Sequence, residues 1–77
     1  MLYGLQVCAQ NKFLYKGNEF YRNRQYEDAV KSYNRVLAEN SNDTIAQFNI
    51  GNALYRDKRE DEAIKAFEAM NHSPAAW

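Results

Sequence analysis

This 77-residue chain has one cysteine, one histidine, one proline and no net charge. A lone Cys8 closes no internal disulfide and builds no cysteine zinc site. A lone His72, beside Pro74 and far from Cys8, has no partner for nucleophilic catalysis. It reads as a capping or solvated side chain at a helix end. Ten acids balance ten bases. That balance gives no general attraction to nucleic acid or to an anionic membrane. It also gives weak colloidal protection, which leaves self-association open. No apolar run is long enough to span a bilayer. No glycine-rich phosphate loop and no metal-ligand cluster is present, so no cofactor is expected.

What remains is 45% hydrophobic and 26% charged, the balance of one small folded domain. The first nine residues, MLYGLQVCA, are apolar and end in the small-residue pattern Val7-Cys8-Ala9, ahead of Gln10. A signal peptide also has a basic start and a longer apolar core, and both are missing. Residues 1–9 therefore have two readings, a signal-peptide remnant or the start of the first helix. The first implies an exported or periplasmic protein and the second is compatible with the cytoplasm.

The chain repeats itself. Gly17, Asn18, Tyr21, Arg22, Ala29 and Lys31 recur 34 positions later as Gly51, Asn52, Tyr55, Arg56, Ala63 and Lys65. Phe20 and Leu54, Val30 and Ile64, and Tyr33 and Phe67 continue the register without a gap. A period of this length with helical patterning marks stacked helical hairpins. Apolar spacings of three and four predict four helices, over about Gln10–Asn23, Tyr26–Glu39, Thr44–Arg56 and Glu60–Met70. Ile45, Phe48, Gly51, Ala53, Leu54 and Tyr55 supply the apolar surface of the third. Ala63, Ile64, Phe67 and Met70 face inward from the fourth. Asn42 or Asp43 is placed to cap the third helix. Gly17 and Gly51 each cost about 1 kcal/mol against alanine inside a helix, so each calls for a packing reason. The expectation is close approach, with Ala29 and Ala63 meeting the glycine faces across each hairpin.

The stretches FLYKGNEFYRNRQYEDAVKSY and FNIGNALYRDKREDEAIKAF resemble tandem tetratricopeptide repeats. Repeat one would cover residues 10–43 and repeat two 44–77. The resemblance implies an all-α fold, two helix–turn–helix hairpins stacked as a short right-handed α-solenoid. Gly17, Phe20, Ala29, Tyr33, Gly51, Leu54, Ala63 and Phe67 are its signature packing positions. A narrower resemblance is to bacterial exported repeat proteins. Lys16, Gln47 and Glu60 depart from the family's usual leucine or aromatic residues, and His72-Ser73-Pro74 interrupts the last turn.

In this family the first helix of each repeat lines a concave groove that takes extended peptides or partner helices. The carried-over groove comprises Asn11, Leu14, Tyr15, Asn18, Tyr21 and Arg22, then Ile45, Phe48, Asn49, Asn52, Tyr55 and Arg56. An Asn amide offers a donor and an acceptor to any peptide backbone, and an Arg fork suits a carboxylate. The same residues also mark the fold. Arg22 and Arg56 suit helix C-termini, and Glu27, Asp28, Asp61 and Glu62 lie where they could pair with them. Some relatives clamp an acidic chaperone tail. Asn18 and Asn49 match two positions of that clamp, but Leu14 stands where its first lysine belongs.

The functional expectation is a non-enzymatic adaptor or scaffold binding a protein or peptide. The alternative is a structural segment that dimerises or stacks through an uncapped apolar C-terminal end. Two repeats are few for a solenoid. A longer array, self-association, or Trp77 folded back as a lid would each complete the core.

Overall fold

The computed structural model describes the backbone of residues 2–70 and the side chains of residues 12–70. His72, Pro74 and Trp77, and the side chains of Cys8 and Asn11, lie outside the described residues. Four helices follow in order: α1 (Leu2–Arg22), α2 (Tyr26–Glu39), α3 (Thr44–Arg56) and α4 (Glu60–Met70). The last three begin and end where the sequence places them. The first starts at Leu2, eight residues before Gln10, so its helix takes in most of the apolar N-terminal stretch. Each helix packs on its neighbours in the chain: α1 on α2, α2 on α3, and α3 on α4. The result is two stacked hairpins, an all-α solenoid.

The turn inside each hairpin is the same device. The Gln25 amide donates to the carbonyl of Phe20 at 2.8 Å, and that of Arg24 to Tyr21 at 3.0 Å. In the second hairpin Arg59 donates to Leu54 at 2.9 Å and Lys58 to Tyr55 at 3.0 Å. These crossed bonds form the Schellman motif, which satisfies the last free carbonyls of a helix and wants a left-handed residue just past its end. Arg24 and Lys58 occupy that position at φ 64° and 63°. Both side chains are exposed, so nothing but the backbone defines the site. A side chain in this region costs about 1–2 kcal/mol, and glycine's extra freedom in the unfolded chain offsets part of the relief. Arg24→Gly with Lys58→Gly is therefore expected to add about 1 kcal/mol and raise the midpoint of thermal unfolding by roughly 4–8 °C. A calorimetric scan of the double variant against the natural chain checks this.

The link between hairpins is built from Asx chemistry. Asn40 ends α2 in an extended conformation, and its side-chain oxygen accepts from the Asn42 amide at 3.2 Å. Of the two candidate caps, Asp43 does the work: its carboxylate accepts from the Ala46 amide at 3.0 Å. The Gln47 side-chain Nε2 donates back to the Ser41 carbonyl at 2.9 Å.

The core is small side chains around one ring. Ala29, Ala46 and Ala53 are fully buried, with Tyr33, Val36, Ile50, Leu54 and Ala63 close behind. Phe13, Leu14, Phe20, Val30, Leu37 and Phe67 pack against them half-buried.

Two expectations are corrected. The glycines do not clear space for alanine. A Cβ at Gly17 would lie 2.6 Å from Cδ1 of Tyr33, and one at Gly51 would lie 2.6 Å from Cζ of Phe67. The aromatic ring, one turn beyond each alanine, is what the glycine admits. Ile64 does not face inward either; it is 54% exposed. Its counterpart Val30 is half-buried because α3 packs on α2, and among the described residues no further helix packs on α4.

Candidate functional site

The groove residues lie on α1 and α3, the first helix of each hairpin. On α3 the positions Ile45, Phe48, Asn52 and Tyr55 follow at intervals of three, four and three, which places them on one stripe. Three are large apolar side chains left in solvent: Ile45 at 58%, Phe48 at 50% and Tyr55 at 60% exposure. Asn49 and Asn52 are half-buried beside them, and Arg56 is exposed at the helix end. Read from sequence as part of the helix's apolar surface, Ile45, Phe48 and Tyr55 belong to its outer face. The buried face belongs instead to Ala46, Ile50, Ala53 and Leu54.

The matching stripe on α1 is more closed. Leu14 packs half-buried against the core. Tyr21 meets Tyr26 edge to face, ring centroids 5.4 Å apart. The Tyr33 hydroxyl donates to the side-chain oxygen of Asn18 at 2.6 Å. Only Tyr15, at 67%, is a large exposed apolar residue on the described part of α1. The Tyr33 bond was invisible to sequence reading, because Tyr33 and Phe67 align as a conservative pair. The extra hydroxyl in repeat one was the available signal.

Burial pushes the Tyr33 phenol up to about 12, with the neighbouring Tyr21 acting in the same direction and Arg22 opposing both. An unfolded tyrosine ionises near its ordinary value of 10.0, whereas folded Tyr33 holds its proton to about 12. Unfolding therefore releases a proton between those values. The contribution is intact below pH 10 and fades as pH rises toward about 12. Tyr33→Phe is expected to flatten this alkaline decline, while costing about 1 kcal/mol at neutral pH through the lost bond to Asn18. Urea midpoints of both chains across that pH range check both halves.

Of the acids expected beside Arg22 and Arg56, Glu27 and Glu62 pair elsewhere, and among the described residues Asp28 and Asp61 are in no ion pair. Arg59 forks onto Glu62 through two hydrogen bonds of 2.8 Å and lies 3.6 Å from Asp57. That hydrogen bonding, foremost, holds the Glu62 carboxyl below its usual range. Glu27 approaches Lys31 at 4.0 Å. Among the described residues neither Arg22 nor Arg56 is in an ion pair.

Away from this face, a shallow cavity of about 220 Å³ opens between α2, α3 and α4, lined by Asn34, Leu37, Gln47, Ile50, Ala66 and Ala69. None of the carried-over groove residues lines it. Among the described residues no group of His, Cys, Asp and Glu could hold a metal, and no helix is long and apolar enough to cross a membrane.

Tandem helical hairpins with matching turns, matching glycine–aromatic contacts and an exposed stripe on a first helix define a helical-repeat protein. Comparison fixes which kind. A sequence model described as tetratricopeptide repeat matches residues 14–75, and the chain belongs to that family. Repeats of this family generally mediate protein–protein interaction and form a non-catalytic class. The chain is also similar to the Hsp70-Hsp90 organising protein of Plasmodium falciparum (isolate 3D7), with 32% identity over 50 residues. That match covers 65% of this chain and 9% of the relative. No solved structure matches.

Proposed function

We propose that this chain is a non-catalytic module that binds a peptide or partner helix along the face formed by α1 and α3. The observation that carries this reading is the α3 stripe. Ile45, Phe48 and Tyr55 leave half or more of their surface in water on one side of one helix. Contiguous apolar surface rimmed by polar groups marks interaction sites on soluble proteins. Asn49, Asn52 and Arg56 supply the polar contacts that orient a ligand. The Plasmodium relative is named for Hsp70 and Hsp90. Leu14 stands one turn before Asn18, where an acidic-tail clamp uses lysine, so an acidic chaperone tail is not the partner proposed.

The test is selection of random 12-residue peptides displayed on phage, followed by binding measurements on the natural chain and on Ile45→Asp. Selected peptides should lose affinity for the variant. Peptides that bind both chains equally would remove the stripe as the working surface.

A second reading, self-assembly through α4, rests on unequal burial of aligned residues. Tyr33 and Val36 on α2 are 1% exposed, while their counterparts Phe67 and Met70 are only half-buried. Mass that grows with concentration, and is held constant by Ile64→Lys, distinguishes this reading from the first.

A further inference from the structure

The two hairpins differ at one matched pair of positions. In hairpin one the Arg35 guanidinium lies 4.4 Å from the centroid of the Phe13 ring. The aligned pair in hairpin two is Gln47 and Ala69, and both border the cavity between α2, α3 and α4. The hollow therefore stands where hairpin two lacks the ring and the cation of hairpin one. The Gln47 side chain is held toward the inter-hairpin link, its Nε2 bonded to the Ser41 carbonyl at 2.9 Å. Leu37, Ile50, Ala66 and Ala69 supply apolar wall, and the exposed Asn34 adds an amide. Apolar wall with no atoms against it forfeits its dispersion contacts. An apolar cavity of about 150 Å³ holds a benzene. At about 220 Å³ this one has room for a larger ring.

We propose that the occupant is the chain's own Trp77, whose indole seats between α2, α3 and α4 and does for hairpin two what Phe13 does for hairpin one. The tether has the right origin. Ala69, a wall of the cavity, is next to Met70, where α4 stops. It also has the reach. Residues 71–77 span about 23 Å when extended, against about 8–10 Å between packed helix axes. Pro74, midway, cannot prolong α4 and turns the residue before it from helical dihedrals, so the chain is free to leave the helix axis. The chemistry matches as well. An indole is an apolar body with one N–H that needs an acceptor when buried, and the Asn34 amide carbonyl is such an acceptor. The cavity is separate from the α3 stripe, and its occupancy does not depend on what binds there.

Trp77 is the chain's one tryptophan, so intrinsic fluorescence of the full chain reads this ring alone. Its emission should lie to the blue of that in concentrated urea, and acrylamide should quench it less. Gln47→Phe puts a ring into the hollow from α3, and Ala69→Leu fills it from an exposed position on α4. Each variant, once circular dichroism shows it folded, should move the emission toward the urea value and raise quenching. Trp77→Ala should lower the unfolding midpoint by roughly 4–8 °C in the natural chain and leave that of Gln47→Phe unchanged. Emission that matches the urea value from the start, or that ignores both filling variants, would overturn the proposal. So would emission that shifts with Ile64→Asp instead, which would put the ring on the open face of α4. Emission that reverts to the urea value on dilution would place the ring in a second copy and overturn it too.

Discussion

Gly17→Ala should destabilise the chain by about 2–3 kcal/mol, against the ordinary rule that alanine improves a helix by about 1 kcal/mol over glycine. The reason is the Tyr33 ring. A methyl at position 17 would overlap it, with Cδ1 at 2.6 Å and Cζ at 2.9 Å. The ring has little room to retreat. Tyr33 is 1% exposed, and its hydroxyl is tied to Asn18. Relief requires α1 and α2 to separate or the bond to Asn18 to break. For a domain of this size the loss corresponds to a fall of roughly 8–24 °C in the unfolding midpoint. Gly51→Ala meets the same geometry with a softer neighbour, because Phe67 is half-buried and has no hydroxyl anchor. Its cost should be clearly smaller. A double-mutant cycle with Tyr33→Leu isolates the cause. Gly17→Ala in that background should become neutral or stabilising, since the obstructing ring is gone. If the cost persists without the ring, the overlap is not its source.

The pair Gly17–Tyr33 also shows where sequence reading succeeds and where it stops. The 34-residue recurrence carries both members of each contact, so it located the glycines, the alanines and the aromatics that define the hairpins. It also carried the turns, because Asn23-Arg24-Gln25 and Asp57-Lys58-Arg59 interrupt two apolar patterns at the same phase. A cap at Asn42 or Asp43 was legible because an acceptor just before a helix has few other uses, and the structure selects Asp43. The reason for each glycine was not legible. Alanine and the aromatic lie one turn apart on the same helix, and only the crossing geometry decides which one meets glycine. The left-handed backbone at Arg24 and Lys58 was hidden for a related reason, since neither residue type announces positive φ. Ile64 was misplaced because burial of a helix face depends on what packs beyond it, and the apolar pattern of α4 matches that of α2, which α3 covers. The candidate site divides along the same line. Its residues follow from register, but the exposure of Ile45, Phe48 and Tyr55 and the capture of Asn18 by Tyr33 are tertiary facts.

Ile45→Asp is expected to separate binding from folding. Ile45 is the second residue of α3 and is 58% exposed, so its removal deletes little core. A carboxylate in the first turn faces the positive end of the helix dipole, where such charges typically gain about 0.3–1 kcal/mol. The first turn of α3 carries no acid of its own, but the Asp43 carboxylate already caps it, so the gain lies at the small end of that range. The variant should therefore unfold at the same temperature as the natural chain or slightly higher. Binding should move the opposite way. A ligand seated on the stripe would bury the exposed part of an isoleucine, worth about 1–1.5 kcal/mol by area, and would now have to desolvate a carboxylate there. Together these amount to about 2 kcal/mol or more, a loss of at least about thirtyfold in affinity for the selected peptides. Phe48→Ala provides the contrast. It also strips the stripe, but Phe48 touches Phe67 with centroids 5.9 Å apart, so it should lower both affinity and stability. An Ile45→Asp chain that is stable yet binds as before would place the ligand elsewhere. One that loses both properties would mean that the α3 stripe is part of the fold. The expected outcome, stability kept and binding lost, is the one that assigns these exposed side chains to recognition.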